Sequence, residues 1–153
     1  MKLNNKGFTL VEVLAVLLII SLLVSMAVPS VINSINVSKK TSYKVLVSNI
    51  VTGSIQLYEE VLYGDGILSG YSIDEDNKIT ITLQDLVNNG FLVGSNDKEK
   101  TSKVIINPKT NEPIGYCSIT IKRDNINAKV TYTVISNGGE GCPTSDDYKN
   151  GVK

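Results

Sequence analysis

The chain has 153 residues, with 15 Lys plus Arg balancing 15 Asp plus Glu and no histidine. That length suits one apolar anchor segment and one domain with a modest core. No basic surplus points to nucleic acid, and the lack of histidine removes the commonest general base and zinc ligand, so the expectation is a non-enzymatic protein without a resident cofactor.

Lys2 and Lys6 precede an apolar run over residues 8–28 whose only clearly polar members are Thr9, Glu12, Ser21 and Ser25. As a helix rising about 1.5 Å per residue, this run covers roughly 31 Å, which matches the hydrocarbon thickness of a bilayer. Glu12 is the exception within it. A carboxylate at the centre of such a span opposes insertion by roughly 2.5–3.5 kcal/mol, so it needs a purpose or an escape to water. Two simpler accounts compete. In one, the run is the core of a secretory signal peptide cut after Ser25-Met26-Ala27, although it is longer than usual and contains a carboxylate. In the other, it is a plain anchor whose Glu12 lies within a turn of the membrane edge and bends outward to the headgroups.

Helical periodicity continues over residues 29–63. Apolar side chains from Val31, Ile32 and Ile35 through Tyr43, Val47 and Ile50 to Tyr58 and Leu62 recur at spacings of three and four, the pattern of an amphipathic helix. Pro29, which lacks an amide hydrogen and crowds the preceding turn, is the expected bend. Gly53 is a second weak point, and Gly64-Asp65-Gly66 is the expected stop. The back face, from Ile35 to Leu62, is expected to bury against a globular domain formed by residues 64–153.

Within that domain, Lys78-Ile79-Thr80-Ile81-Thr82 alternates like a strand and leads into a short helix at residues 83–88, with Thr82 and Asp85 spaced as a capping pair. Asn89-Gly90 closes it. Further strands are expected at residues 103–107, 114–123 and 127–136, the last two joined by Asp124-Asn125-Ile126. Cys117, Ile119 and Ile121 share one face, as do Val130, Tyr132 and Val134, which suits an antiparallel sheet packed by one side on the helix. Residues 137–141 read as a loop, and the remainder reads as an irregular tail.

Gly7-Phe8-Thr9-Leu10-Val11-Glu12 resembles the processing motif of type IV pilins and of the pseudopilins of type II secretion and competence systems. The resemblance implies a leader over residues 1–7, a cut between Gly7 and Phe8 by a prepilin peptidase, and methylation of the new amine. It implies that residues 8–28 cross the cell membrane before assembly and line a filament core afterwards, with Pro29 at the position of a helix-kinking proline. The basic residues on both sides of the run leave orientation open; the resemblance places the carboxyl end outside. The implied fold is α+β, a long amino-terminal helix packed on a small antiparallel sheet. The implied partners are other subunits of the same kind, the peptidase and an inner-membrane assembly platform. The reading is a filament subunit of the pilus type, with a pseudopilin as the alternative. In such an assembly Glu12 meets the Phe8 amine of an adjacent subunit, and its charge is neutralised only at the right stagger. An intrachain contact with Phe8, one turn away, is the plainer account of that pairing. A membrane-tethered extracellular binding module, in which Glu12 is incidental, is the rival from another class.

Cys117 and Cys142 are the only thiols. Export would place them where disulfides persist, and a carboxy-terminal disulfide loop resembles the arrangement in many pilins; two unpaired thiols are the alternative. Asp74-Glu75-Asp76-Asn77 starts like a calcium loop but lacks the glycine and distal glutamate, so it reads as a solvated turn. Glu140, Asp146 and Asp147 are weak metal candidates. The stretch ending at Glu140 resembles the terminal loop in which major pseudopilins carry calcium, though Cys142 and Pro143 interrupt the likeness.

Overall fold

The computed structural model describes residues 8–64, 68, 70–96, 103–126 and 129–151. The chain divides after Ser38 into two units, and one helix, α1 (Leu10–Tyr63), contributes to both.

In the first unit α1 begins after Thr9, whose carbonyl accepts the Glu12 and Val13 amides at 3.1 and 3.3 Å. Every apolar side chain here is exposed, from Phe8 through Val37. The serine hydroxyls do not interrupt that apolar surface. Ser21 and Ser25 donate to the Leu18 and Leu22 carbonyls, each at 2.8 Å, so their polarity is satisfied inside the helix. Pro29 lies within α1, where its missing amide leaves the Ser25 carbonyl without its usual partner.

In the second unit the buried face of α1 starts at Tyr43 and continues through Val47, Ile50, Val51, Ser54, Leu57 and Tyr58. The spacings are those of one helix face. Ile35, expected on this face, is exposed, and so is Leu62. The packed stretch is therefore shorter at both ends than the sequence periodicity suggests.

The face of α1 that does pack meets a three-stranded antiparallel sheet. Its strands are β1 (Lys78–Thr82), β4 (Ser118–Ile126) and β5 (Lys129–Ser136), in the order β1-β4-β5. A separate two-stranded ladder joins β2 (Ser95–Asn96) to β3 (Lys103–Val104). Register places Ile79 opposite Ile121, Ile81 opposite Ile119 and Ile121 opposite Val134, so the branched side chains of all three strands share the buried face. A slip of one residue would turn that whole set to solvent. On the other face the Thr80 and Thr120 hydroxyls lie 2.8 Å apart. The Tyr132 ring meets the Tyr58 ring edge-on at 5.7 Å between centroids, whereas Val130, expected beside it, is exposed.

Local signals placed several elements correctly. β1 and the helix α2 (Leu83–Asn88) have the expected bounds, and the Thr82–Asp85 capping box is complete. Asn89-Gly90 closes α2, with Gly90 at φ +80° and the Phe91 and Leu92 amides returning to the Leu86 carbonyl at 2.8 and 3.0 Å.

Four further expectations need correction. Asp124-Asn125-Ile126 is strand, not connection, since pairing runs on to Ile126 opposite Lys129; residues 127 and 128 lie outside the described residues. Residues 114–117 are not strand, because Cys117 donates back to the Ile114 carbonyl at 3.0 Å in a turn. Beyond Val104, the strand expected to reach Asn107 keeps only a bridge from Ile106 to Pro113. The tail read as irregular forms a short helix, α3 (Ser145–Gly151).

Candidate functional site

The amino-terminal segment is built on a helix cap. Thr9 precedes α1, and its hydroxyl accepts the Glu12 amide at 3.3 Å. Glu12 thus sits in the first turn, where free amides and the positive end of the helix dipole favour a carboxylate. This answers part of the cost that the sequence assigned to it. Among the described residues, nothing forms a hydrogen bond or ion pair with the Glu12 carboxylate, which is exposed. Phe8 is also exposed, at 79%. Gly7 and the basic residues Lys2 and Lys6 lie outside the described residues. Thr9 is a capping residue that the sequence analysis does not single out. The signal was present, because Thr9 and Glu12 have the same spacing as Thr82 and Asp85, whose capping role was read correctly.

Behind this cap, the most apolar 18-residue window of α1 has a mean hydropathy of 2.7, and none of it is buried. By length and composition the helix can cross a membrane.

At the carboxyl end Cys117 and Cys142 form a disulfide, with sulfurs 1.99 Å apart and Cα atoms 5.7 Å apart. Cys117 leads into β4, and Cys142 precedes α3, so the bridge ties the terminal segment to the sheet. Gly138 makes room for it, since a Cβ there would overlap the Cys142 side chain. The Asn107 side-chain amide donates to the Gly141 carbonyl at 3.1 Å, and the Tyr116 hydroxyl to the Glu140 carbonyl at 3.2 Å.

α3 is held by a second capping box. The Asp147 carboxylate accepts both the amide and the hydroxyl of Thr144 at 2.8 Å, and the Thr144 hydroxyl accepts the Asp147 amide at 3.2 Å. The same carboxylate accepts the Tyr43 hydroxyl at 3.0 Å. Partial burial opposes ionisation of Asp147, but these hydrogen bonds and the Lys109 charge outweigh it and hold the carboxyl below its usual range. Burial pushes the Tyr43 phenol well above its ordinary value, helped by the bond to Asp147 and its charge. Burial does the same to Tyr148, with Tyr43 and Asp147 adding to it.

The three weak metal candidates have different surroundings. Asp147 is engaged in capping, Asp146 pairs with Lys149 at 3.4 Å, and Glu140 is exposed. In the turn at residues 74–77, the Asp74 carboxylate accepts the Asp76 and Lys78 amides at 3.0 and 2.7 Å, while Asp76 pairs with Lys78 at 2.8 Å. Among the described residues no group of three or more carboxylates and thiols is gathered as a metal site would require.

A family model, the prokaryotic N-terminal methylation motif, matches residues 2–28. This is the prepilin-type motif of type IV pilins and pseudopilins. Neither the curated proteins nor the solved structures offer a match.

Proposed function

We propose that this pilin-like chain is a structural subunit of a type IV pilus-like filament, cut between Gly7 and Phe8 and assembled through the front of α1. The observation that carries the reading is Glu12: an exposed carboxylate with no partner among the described residues, one helical turn from Phe8, on an apolar surface with nothing packed against it.

Before assembly the front of α1 spans the cell membrane with the carboxyl end outside. Assembly exchanges lipid contacts for contacts between helices, which leaves little net hydrophobic gain, so close packing and polar pairing must select the arrangement. A carboxylate supplies that selection. When a neighbour's Phe8 amine lies beside Glu12 both charges are neutralised, and at any other stagger the carboxylate stays unpaired in an apolar setting. Pro29, in this reading, is the bend that lets the front helices pack. The disulfide and the α3 clamp keep the exported domain intact outside the cell.

Electron microscopy with an antibody against residues 64–153 tests the reading. Labelled fibres, with Phe8 as the amino terminus of their subunits by mass spectrometry, are the expected result. Label confined to the envelope would overturn it in favour of a tethered module, and a terminus at Val28 would establish a secretory signal peptide instead.

A further inference from the structure

Charge on the back half of α1 is segregated by sign. Its lysines are Lys39, Lys40 and Lys44, all exposed; residues 45–58 carry no charge, and Glu59 and Glu60 follow. Among the described residues none of these five side chains has an ion-pair partner. The glutamates are also badly placed for the isolated subunit. They stand near the carboxyl end of a helix with no basic residue in its last turn, where the dipole disfavours negative charge. Arg123 does not relieve them, since its guanidinium donates to the Tyr63 hydroxyl at 3.1 Å and lies over that ring. Together with Ile55, Gln56, Tyr63 and Phe91, the two glutamates line an open concave surface.

Along one helix, at about 1.5 Å per residue, the lysine and glutamate groups are separated by about 22–32 Å. One copy therefore cannot pair its own groups. We propose that this concave surface docks a second copy of the chain, shifted along the helix axis by about 22–32 Å, so that the lysines of the second copy meet Glu59 and Glu60 of the first. Charge complementarity selects the occupant. Because the two patches differ, each contact leaves one patch of each sign unused on the outer copies, and the association propagates instead of closing into a pair.

The inference rests on the filament reading and adds a second register to it. Glu12 and Phe8 are separated by about 6 Å along the helix, so the two contacts belong to different neighbours. A single exposed ion pair contributes little. Repetition in every subunit multiplies the effect, and like charges brought together by a wrong shift are repelled, so the patches set register more than affinity.

The test uses cells carrying the full chain. A zero-length carbodiimide reagent links an amine to a carboxylate only where the two touch, so a link from Lys39, Lys40 or Lys44 to Glu59 or Glu60 reports a neighbouring copy. Such links are the expected result. Reversing one patch, E59K with E60K or K39E with K40E and K44E, should lower filament number roughly tenfold or more, and combining all five reversals should restore it. The proposal is overturned by missing links, by normal filaments from either single-patch variant, or by failure of the combined variant. Links from Glu59 or Glu60 only to lysines of a different protein would also overturn it. If the unmodified chain forms no filaments yet the links appear, the filament reading falls and the docking contact stands.

Discussion

The Tyr43 hydroxyl on α1 donates to the Asp147 carboxylate on α3 at 3.0 Å, joining residues 104 positions apart in the chain. The Lys109 ammonium lies 3.4 Å from the centroid of the same tyrosine ring. One side chain thus gathers three distant segments at the first buried position of α1, and Asp147 uses one carboxylate both to cap its own helix and to fasten that helix to α1.

This clamp makes stability depend on pH in a defined direction. Asp147 is held below its ordinary pKa, so its contribution is present above the unfolded value of about 3.9 and is lost as pH falls through the folded value. Tyr43→Phe should cost about 1.5–3 kcal/mol near neutral pH, the range for a hydrogen bond to a charged acceptor. The deficit relative to the parent should shrink as acid protonates Asp147. Melting of both chains in detergent across pH 2–7 checks this, and a deficit constant with pH would assign the loss to packing. At the alkaline end, Tyr43 and Tyr148 are raised in the folded chain, so stability should fall as pH climbs past about 10, where the unfolded phenols ionise first.

Reducing the Cys117–Cys142 bridge should lower the melting temperature. The cysteines are 25 positions apart, and the chain-entropy model assigns roughly 3–4 kcal/mol to closing a loop of that size. Thermal melts with and without a reductant, repeated on a Cys117→Ala, Cys142→Ala chain, measure it. The double variant should match the reduced parent and show no response to the reductant.

Gly53→Ala offers a test of sign. In an exposed helix this change stabilises by about 1 kcal/mol. Gly53 is buried, however, and a Cβ there would overlap the Phe91 carbonyl oxygen, so the replacement should instead destabilise by about 1–3 kcal/mol. Urea titration of the two chains decides between these outcomes.

Glu12→Ala makes the front of α1 more apolar, so insertion into the membrane should be at least as good. Processing at Phe8 should persist while filament assembly collapses. Glu12→Gln keeps a polar group without the charge and should also assemble poorly. Mass spectrometry of the amino terminus and filament counts on the same cells separate the two steps, and normal filaments from the Ala variant would make Glu12 a bystander.

The long helix was readable in the sequence because its signal is local and repeated. Apolar spacing held over many turns, so the bounds came within two residues of Leu10–Tyr63. Thr82 and Asp85 likewise announced α2, since a capping box needs only residues three apart. Glu12 stands out in the sequence for a similar reason, because a carboxylate in an apolar run conflicts with its surroundings wherever the chain folds.

Tertiary structure decided the features that depend on partners distant in sequence. Asp124-Asn125-Ile126 has the composition of a turn, yet pairing to Lys129 through Thr131 makes it strand, because a register established between Ile121 and Val134 extends along both chains. Gly53 read as a defect, and only the approach of Phe91 shows that the space was needed. α3 has too few apolar residues to show a helical period; it is stable where Tyr148 is buried and Tyr43 reaches Asp147. Composition and spacing determine whether a segment can be a helix or a strand and which side chains are out of place in it. Which faces become buried, and where a strand stops, depends on contacts between residues that the chain brings together only when it folds.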